Sequence, residues 1–167
     1  SLFEIQNSHP AVHNNGGIGK PSTEEMWDAL LTKGMKVYGV ASDDTHNYKD
    51  FTPLRANPGR GWVCVRADEL TPVAIAVALD KGDFYASTGV ELVDVTSDAA
   101  SVAVRINPAG VTAYVVEFIG RGGKVLSKVQ GPDASYRLTG KEGYVRARIS
   151  DSNGFRAWTQ PVFVGKK

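Results

Sequence analysis

Cysteine is nearly absent: Cys64 stands alone in 167 residues, so no disulfide can form within the chain. Long apolar runs are absent too, and nothing nears the ~18 residues a membrane-spanning helix needs. Neither charge is in excess. The chain has 19 Lys and Arg against 18 Asp and Glu and no basic block, so neither nucleic acid nor an anionic membrane is expected as a partner. There is no internal repeat and no low-complexity segment. No signal peptide and no initiator Met is present. The chain opens directly on Leu2-Phe3-Glu4-Ile5-Gln6, which alternates like a strand, so a further segment is expected upstream. What remains is ordinary core-forming material: 42% apolar and 22% charged residues exclude a disordered polymer.

The first half mixes strand and helix signals. After the strand at 2–6, Asn7 to Lys20 is a loop by composition, with His9, His13 and several glycines. Ser22 followed three residues later by Glu25 is a capping box, and Met26, Trp27, Leu30 and Leu31 give the helix behind it one apolar face. Gly34 is suited to the residue just past its end. Lys36–Ala41 and Trp62–Arg66 read as buried strands, so Trp27 and Trp62 are expected inside. Thr71 caps a second helix with Pro72 at its first position. That helix, Val73 to Leu79, is apolar nearly all round and is expected to be well covered, and Gly82 ends it. Strands alternating with helices predict parallel pairing.

The densest chemistry lies between the second and third strands, in Val40-Ala41-Ser42-Asp43-Asp44-Thr45-His46-Asn47-Tyr48. A polar loop at the carboxyl end of a buried strand is where α/β folds place reactive groups. Asp44 and His46 are two apart, so in extended backbone their side chains point the same way. One oxygen and one nitrogen donor converging from one side suit Zn²⁺, Mn²⁺ or Fe. The same residues also initiate turns and cap helices. The following stretch to Gly61 is polar and is expected to be a long surface excursion. It carries Arg60, a candidate contact for an anionic substrate.

After Gly89 no helical period returns. Seven short runs follow, separated by turns such as Asn107-Pro108, Gly122-Gly123 and Ser152-Asn153-Gly154. Val102, Val104 and Ile106 alternate with Ser101, Ala103 and Arg105. Val145, Ala147 and Ile149 alternate with Tyr144, Arg146 and Arg148. This spacing predicts an antiparallel β-sandwich of immunoglobulin-like size, without the Cys…Trp…Cys framework.

Several stretches together resemble the C-terminal part of a PHP-type (polymerase and histidinol phosphatase) metal-dependent phosphoesterase. They are Phe3-Glu4-Ile5-Gln6-Asn7, Trp27-Asp28-Ala29-Leu30-Leu31 with Gly34, Tyr38 to His46, Gly61-Trp62-Val63, and Gly82-Asp83-Phe84-Tyr85-Ala86-Ser87-Thr88-Gly89. The resemblance covers residues 2–90. It implies an α+β chain: a partial (βα) barrel remnant over 1–89, then the sandwich over 90–167. It also implies divalent metal ions and a phosphate-ester substrate. Asp44 and His46 match the family's last metal-binding motif, as metal ligands and catalytic residues. Glu4 and His9 are further candidate ligands, and Asn7 joins Arg60 as a candidate substrate contact.

The family's first motif, H-x-H, is absent, as are the motifs of its first half. Three strands in residues 1–66 cannot close a seven-stranded barrel. The expectation is therefore a phosphoesterase portion that is inactive until a missing N-terminal half, or a second copy, completes it. The competing expectation is a non-catalytic carbohydrate- or protein-binding module, with Tyr114, Tyr136, Tyr144 and Trp158 as candidate aromatic contacts.

Overall fold

The structure is a computed structural model that describes residues 1–165. It begins with β1 (Leu2–Asn7), α1 (Thr23–Thr32) and β2 (Tyr38–Ser42). Both signals of the capping box form: Ser22 accepts from the Glu25 N–H, and the Glu25 carboxylate accepts from the Ser22 N–H at 2.7 Å. β1 and β2 pair in parallel, with α1 carrying the chain back between them.

The parallel order stops there. β3 (Trp62–Val65) leads into α2 (Pro72–Lys81), and α2 returns the chain to the end of β3 that it left. The Arg66 N–H donates to the Asp83 carbonyl at 2.8 Å. β4 (Phe84–Ser87) therefore runs antiparallel to β3. The expected partial (βα) barrel is thus corrected: the fold is mostly β, and beyond the β1–β2 pair its ladders are antiparallel. The expected separate immunoglobulin-like sandwich is corrected with it. β4 continues into the later strands by pairing with β11 (Arg156–Thr159). One sheet then runs β3-β4-β11-β10-β7-β8, where β7 is Tyr114–Gly120, β8 Lys124–Gln130 and β10 Gly143–Asp151. β12 (Val162–Val164) pairs with the start of β10. Pro161, which cannot donate to a ladder, separates it from β11. A second, three-stranded sheet has the order β5-β6-β9, from Leu92–Ser97, Ser101–Ile106 and Asp133–Arg137.

The two antiparallel sheets stack sandwich-like over one apolar core. Val102, Val104 and Ile106 of β6 meet Val116 and Phe118 of β7 and Val145, Ala147 and Ile149 of β10. The alternation in both stretches places these residues inward, each large side chain contributing about 1.5–3 kcal/mol on burial.

The other face of the large sheet is covered as well. There α1 and β1 bring Trp27, Leu31 and Ile5 onto Ala86, Tyr144 and Trp158. Trp27 is fully buried and donates to the Val37 carbonyl at 2.9 Å, whereas Trp62 is half-buried. Arg146 and Arg148, which alternate with the core residues of β10, lie under α1. Arg146 clamps Asp28 with two bonds of 2.8 and 2.7 Å, reaches Glu24 at 3.0 Å and lies over the Trp27 ring. Tyr144 donates to the same Asp28 at 2.7 Å. Arg148 bridges Glu24 and Glu117.

The second helix departs from expectation. Only Ala78 is buried, while Val73 and Val77 are exposed, so α2 rests on the body by a narrow contact. Its end is fixed by Tyr38, whose hydroxyl donates to the Lys81 carbonyl at 2.6 Å. The Tyr38 ring occupies the space a side chain at Gly82 would need.

Candidate functional site

The carboxyl ends of β1 and β2 lie side by side, with Asn7 opposite Ser42 in the register. This brings Glu4 and Asn7 of β1 to the loop that follows β2. Asn7 Nδ2 donates to Glu4 Oε2 at 3.2 Å and to Asp44 Oδ2 at 3.3 Å, so it stands between two carboxylates. Its other end is fixed, because Asn7 Oδ1 accepts from the His9 N–H at 2.9 Å. The Ser42 hydroxyl donates to the second oxygen of Glu4.

His46 stands beside this group. Its Nδ1 donates to the Asp44 carbonyl at 2.6 Å, and in the neutral ring Nε2 then carries the lone pair that can ligate an ion or accept a proton. The His9 ring approaches His46 edge-on, with 5.6 Å between ring centres. His9 Nδ1 accepts from the Ala11 N–H at 3.1 Å, so in the neutral ring Nε2–H of His9 is a donor. The two imidazoles are thus prepared for opposite tasks. Asp44 itself has φ +49°, the one left-handed non-glycine residue among those described. Strain of this kind persists where the surroundings over-determine a conformation.

The two aspartates of the loop divide the work. Asp43 accepts from the backbone N–H groups of Gly59, Arg60 and Gly61 at 2.9, 2.6 and 2.7 Å, and so ties the far end of the excursion to β2. Gly61 is needed at that junction, because a side chain there would strike the Ser42 carbonyl. Asn57 binds the carbonyls of Asn47 and Asp50. Arg60 donates to the Thr52 and Pro53 carbonyls and to Asn57 Oδ1. The excursion is therefore a self-bonded loop, and the Arg60 guanidinium is engaged within it. Asp43 and Asn57 were not distinguished from ordinary turn residues by sequence.

Side-chain amides also plug the outer edges of the β1–β2 pair. Asn14 bonds both the N–H and the carbonyl of Asn7, at 2.9 and 2.7 Å. Gln160 does the same to Gly39, at 2.8 Å each way. Each imitates the neighbouring strand that is missing.

A groove of about 910 Å³ opens from Asn7 and His9 toward β11. His13, Arg60 and Arg156 line it, with Phe51 and Phe155 as apolar walls, and no Asp or Glu is among its lining residues. In a chain with nearly equal numbers of acids and bases, such a surface favours anions. Asp44, His46 and Glu4 lie outside the lining, next to Asn7 and His9.

The donors present do not make the multinuclear centre that the family resemblance implies. Among the described residues, no three His, Cys, Asp or Glu side chains converge closely enough to hold an ion. Asn7 also occupies the space between the two nearest carboxylates. What the cluster offers is two exposed carboxylates and one correctly oriented imidazole.

The aromatic candidates for a carbohydrate surface are not on a surface. Tyr114, Tyr144 and Trp158 are buried, and Tyr136 packs on Phe118 with its hydroxyl on Glu142. The chain matches no protein-family model and no curated protein sequence.

Proposed function

We propose that this chain supplies a phosphate-ester groove and part of the ligand set of a metal-dependent phosphoesterase of PHP type. The observation that carries the reading is the acid-free, arginine- and histidine-lined groove opening beside a carboxylate–imidazole cluster. Hydrolysis of a phosphate ester needs both halves of that arrangement. Cationic and N–H groups hold the phosphoryl oxygens, while carboxylates and an imidazole hold an ion or move a proton. In this reading His9 Nε2–H donates toward the anion, His46 Nε2 is the free base or ligand, and Asp44 is the second donor. The PHP-like stretches over residues 2–90 place Asp44 and His46 in the matching motif. Two such donors hold an ion weakly, and turnover requires further ligands, from an N-terminal half or a second copy.

The test is calorimetric titration with Mn²⁺ and Zn²⁺, with hydrolysis of p-nitrophenyl phosphate followed in parallel. Weak binding that Asp44→Ala and His46→Ala each remove, with no turnover by the chain alone, is the expected result. Binding unchanged in both variants sinks the assignment of ligands. Turnover above about 1 s⁻¹, the lower range of ordinary enzymes, sinks the incompleteness.

A further inference from the structure

Arg156 is the unmatched charge of the large sheet's outer face. Arg146 and Arg148, on the neighbouring strand, are both paired with carboxylates. Among the described residues the Arg156 guanidinium has neither an ion pair nor a hydrogen bond, although its backbone is held on both sides by Thr88. Two residues along β11, on the same face, lies Trp158. It is buried, yet its Nε1–H has no acceptor. That N–H faces the Glu24 carboxylate, short of hydrogen-bond geometry, and Glu24 lines the cleft under α1 and not the acid-free groove. Arg156 and Trp158, with Gln6, Asn14 and Asn15, line both the acid-free groove and a second cleft, of about 780 Å³, beneath α1.

A half-buried arginine without an anion, on the wall of an acid-free groove, is an unfinished interaction. Groups of this kind are completed by a ligand that accepts hydrogen bonds and carries negative charge. Guanidinium matches the paired oxygens of phosphate and carboxylate in a fixed fork. We infer that Arg156, with Trp158 beside it, is an oxyanion-binding site at the far end of the groove. It takes the phosphate or carboxylate group of a ligand whose other end reaches His9. This deepens the phosphate-ester reading by requiring a second anionic group on the substrate. It does not depend on cation binding at Asp44 and His46.

The experiment follows the Trp158 indole N–H resonance of the full chain while inorganic phosphate, and separately acetate, is added at constant ionic strength set with chloride. Saturable movement with either anion is expected. Arg156→Gln should weaken that binding at least tenfold, and Arg156→Lys should restore part of it. His46→Ala and Asp44→Ala should bind the anion as the unaltered chain does, which separates failure of this site from failure of the cation site. Movement with phosphate alone identifies a phosphoryl-bearing ligand, and movement with acetate as well admits a carboxylate. An indole resonance that neither anion moves, or an Arg156→Gln chain that binds equally well, overturns the inference. Arg156 is at a cavity wall rather than in a core, so the folded state of the variant can be checked by its unchanged remaining resonances.

Discussion

The two faces of β10 lie in two different interiors. Val145, Ala147 and Ile149 face the three-stranded sheet, in a core built of aliphatic and aromatic side chains. Tyr144, Arg146 and Arg148, the residues between them, face α1 and enter a network of two arginines, three carboxylates and a phenol. An apolar core gains free energy from any arrangement that excludes water, and its contacts are non-directional. The second interior is directional: Arg146 donates to Asp28 in one geometry, and Glu24 must arrive beside it from one turn away on the same face of α1. The sandwich core thus supplies stability, and the ionic interior fixes how the β1–α1–β2 layer sits on the sheet. Since Glu4, Asn7, Asp44 and His46 ride on that layer, while Arg156 and Trp158 belong to the sheet, the ionic interior also sets the shape of the groove between them.

The sharpest way to break this contrast is to remove one partner from the ionic side. Asp28→Ala leaves Arg146 buried with half of its charge uncompensated, and we expect a loss of about 3–5 kcal/mol in urea unfolding. Replacing both, Asp28→Leu with Arg146→Met, should recover most of that loss, because no charge is then stranded. Ile149→Val on the opposite face should cost only about 1 kcal/mol and should add independently to either. Additive behaviour of Asp28 and Arg146 would show that the network is not a unit.

Acid separates the interiors in the same direction. Burial raises the Glu24 carboxyl, but the Arg146 and Arg148 charges outweigh it and hold it below its ordinary value of 4.5. For Glu117, burial is likewise overcome by Arg148 and Lys128. Glu142, at the edge of the sandwich, is raised by burial but held down to about 2 by the Thr139 hydroxyl and N–H and by Tyr136. Carboxyls depressed in the folded state contribute stability that is fully present above 4.5 and is lost as pH falls below it. Melting temperature should therefore be level above about pH 5 and fall steadily toward pH 2. In the Asp28→Leu/Arg146→Met chain the fall should be shallower, since Glu24 has lost its nearest cation. An equal slope in both chains would place the acid sensitivity elsewhere.

Sequence made one interior legible and concealed the other. The period-two pattern in β6 and β10 marks the residues facing the sandwich core, because alternation is a local property of a strand. The same pattern places Arg146 and Arg148 on the opposite face and says no more, because nothing local in β10 reveals that α1, more than a hundred residues earlier, lies across it. The change from parallel to antiparallel order was hidden for a similar reason. A strand–helix–strand pattern is common to both, and the difference rests on where a ten-residue helix returns the chain. Asp44 and His46 were visible as residues of a suitable kind, and the two are brought together with Glu4, Asn7 and His9. Asp43, Asn14 and Gln160 were not, because each acts by bonding backbone far away or around a turn.

Gln160 offers a smaller perturbation of the same boundary. Gln160→Leu keeps the volume and leaves the Gly39 N–H and carbonyl without partners, at a cost of about 1–3 kcal/mol. Amide exchange at Gly39 should quicken in this variant, while exchange in β6 and β7 stays slow. Equal acceleration throughout would mean that the β1–α1–β2 layer and the sandwich open as one.

The smallest effect on stability should fall at Asp44, with the largest effect on binding. Asp44 holds φ +49°, where a side chain crowds the backbone and glycine does not. Relief of that crowding favours Asp44→Gly. Against it stand the greater freedom of glycine in the unfolded chain, about 0.5–1 kcal/mol, and loss of an exposed bond to Asn7. The terms offset, so the melting temperature should change little in either direction. Binding of Mn²⁺ should nevertheless disappear if the carboxylate is the ligand we propose, with the backbone only aiming it. A fold more stable without this carboxylate would identify Asp44 as a residue kept for chemistry at a cost in strain. A large loss of stability would instead make it a structural staple like Asp43, and the ligand role would pass to Glu4.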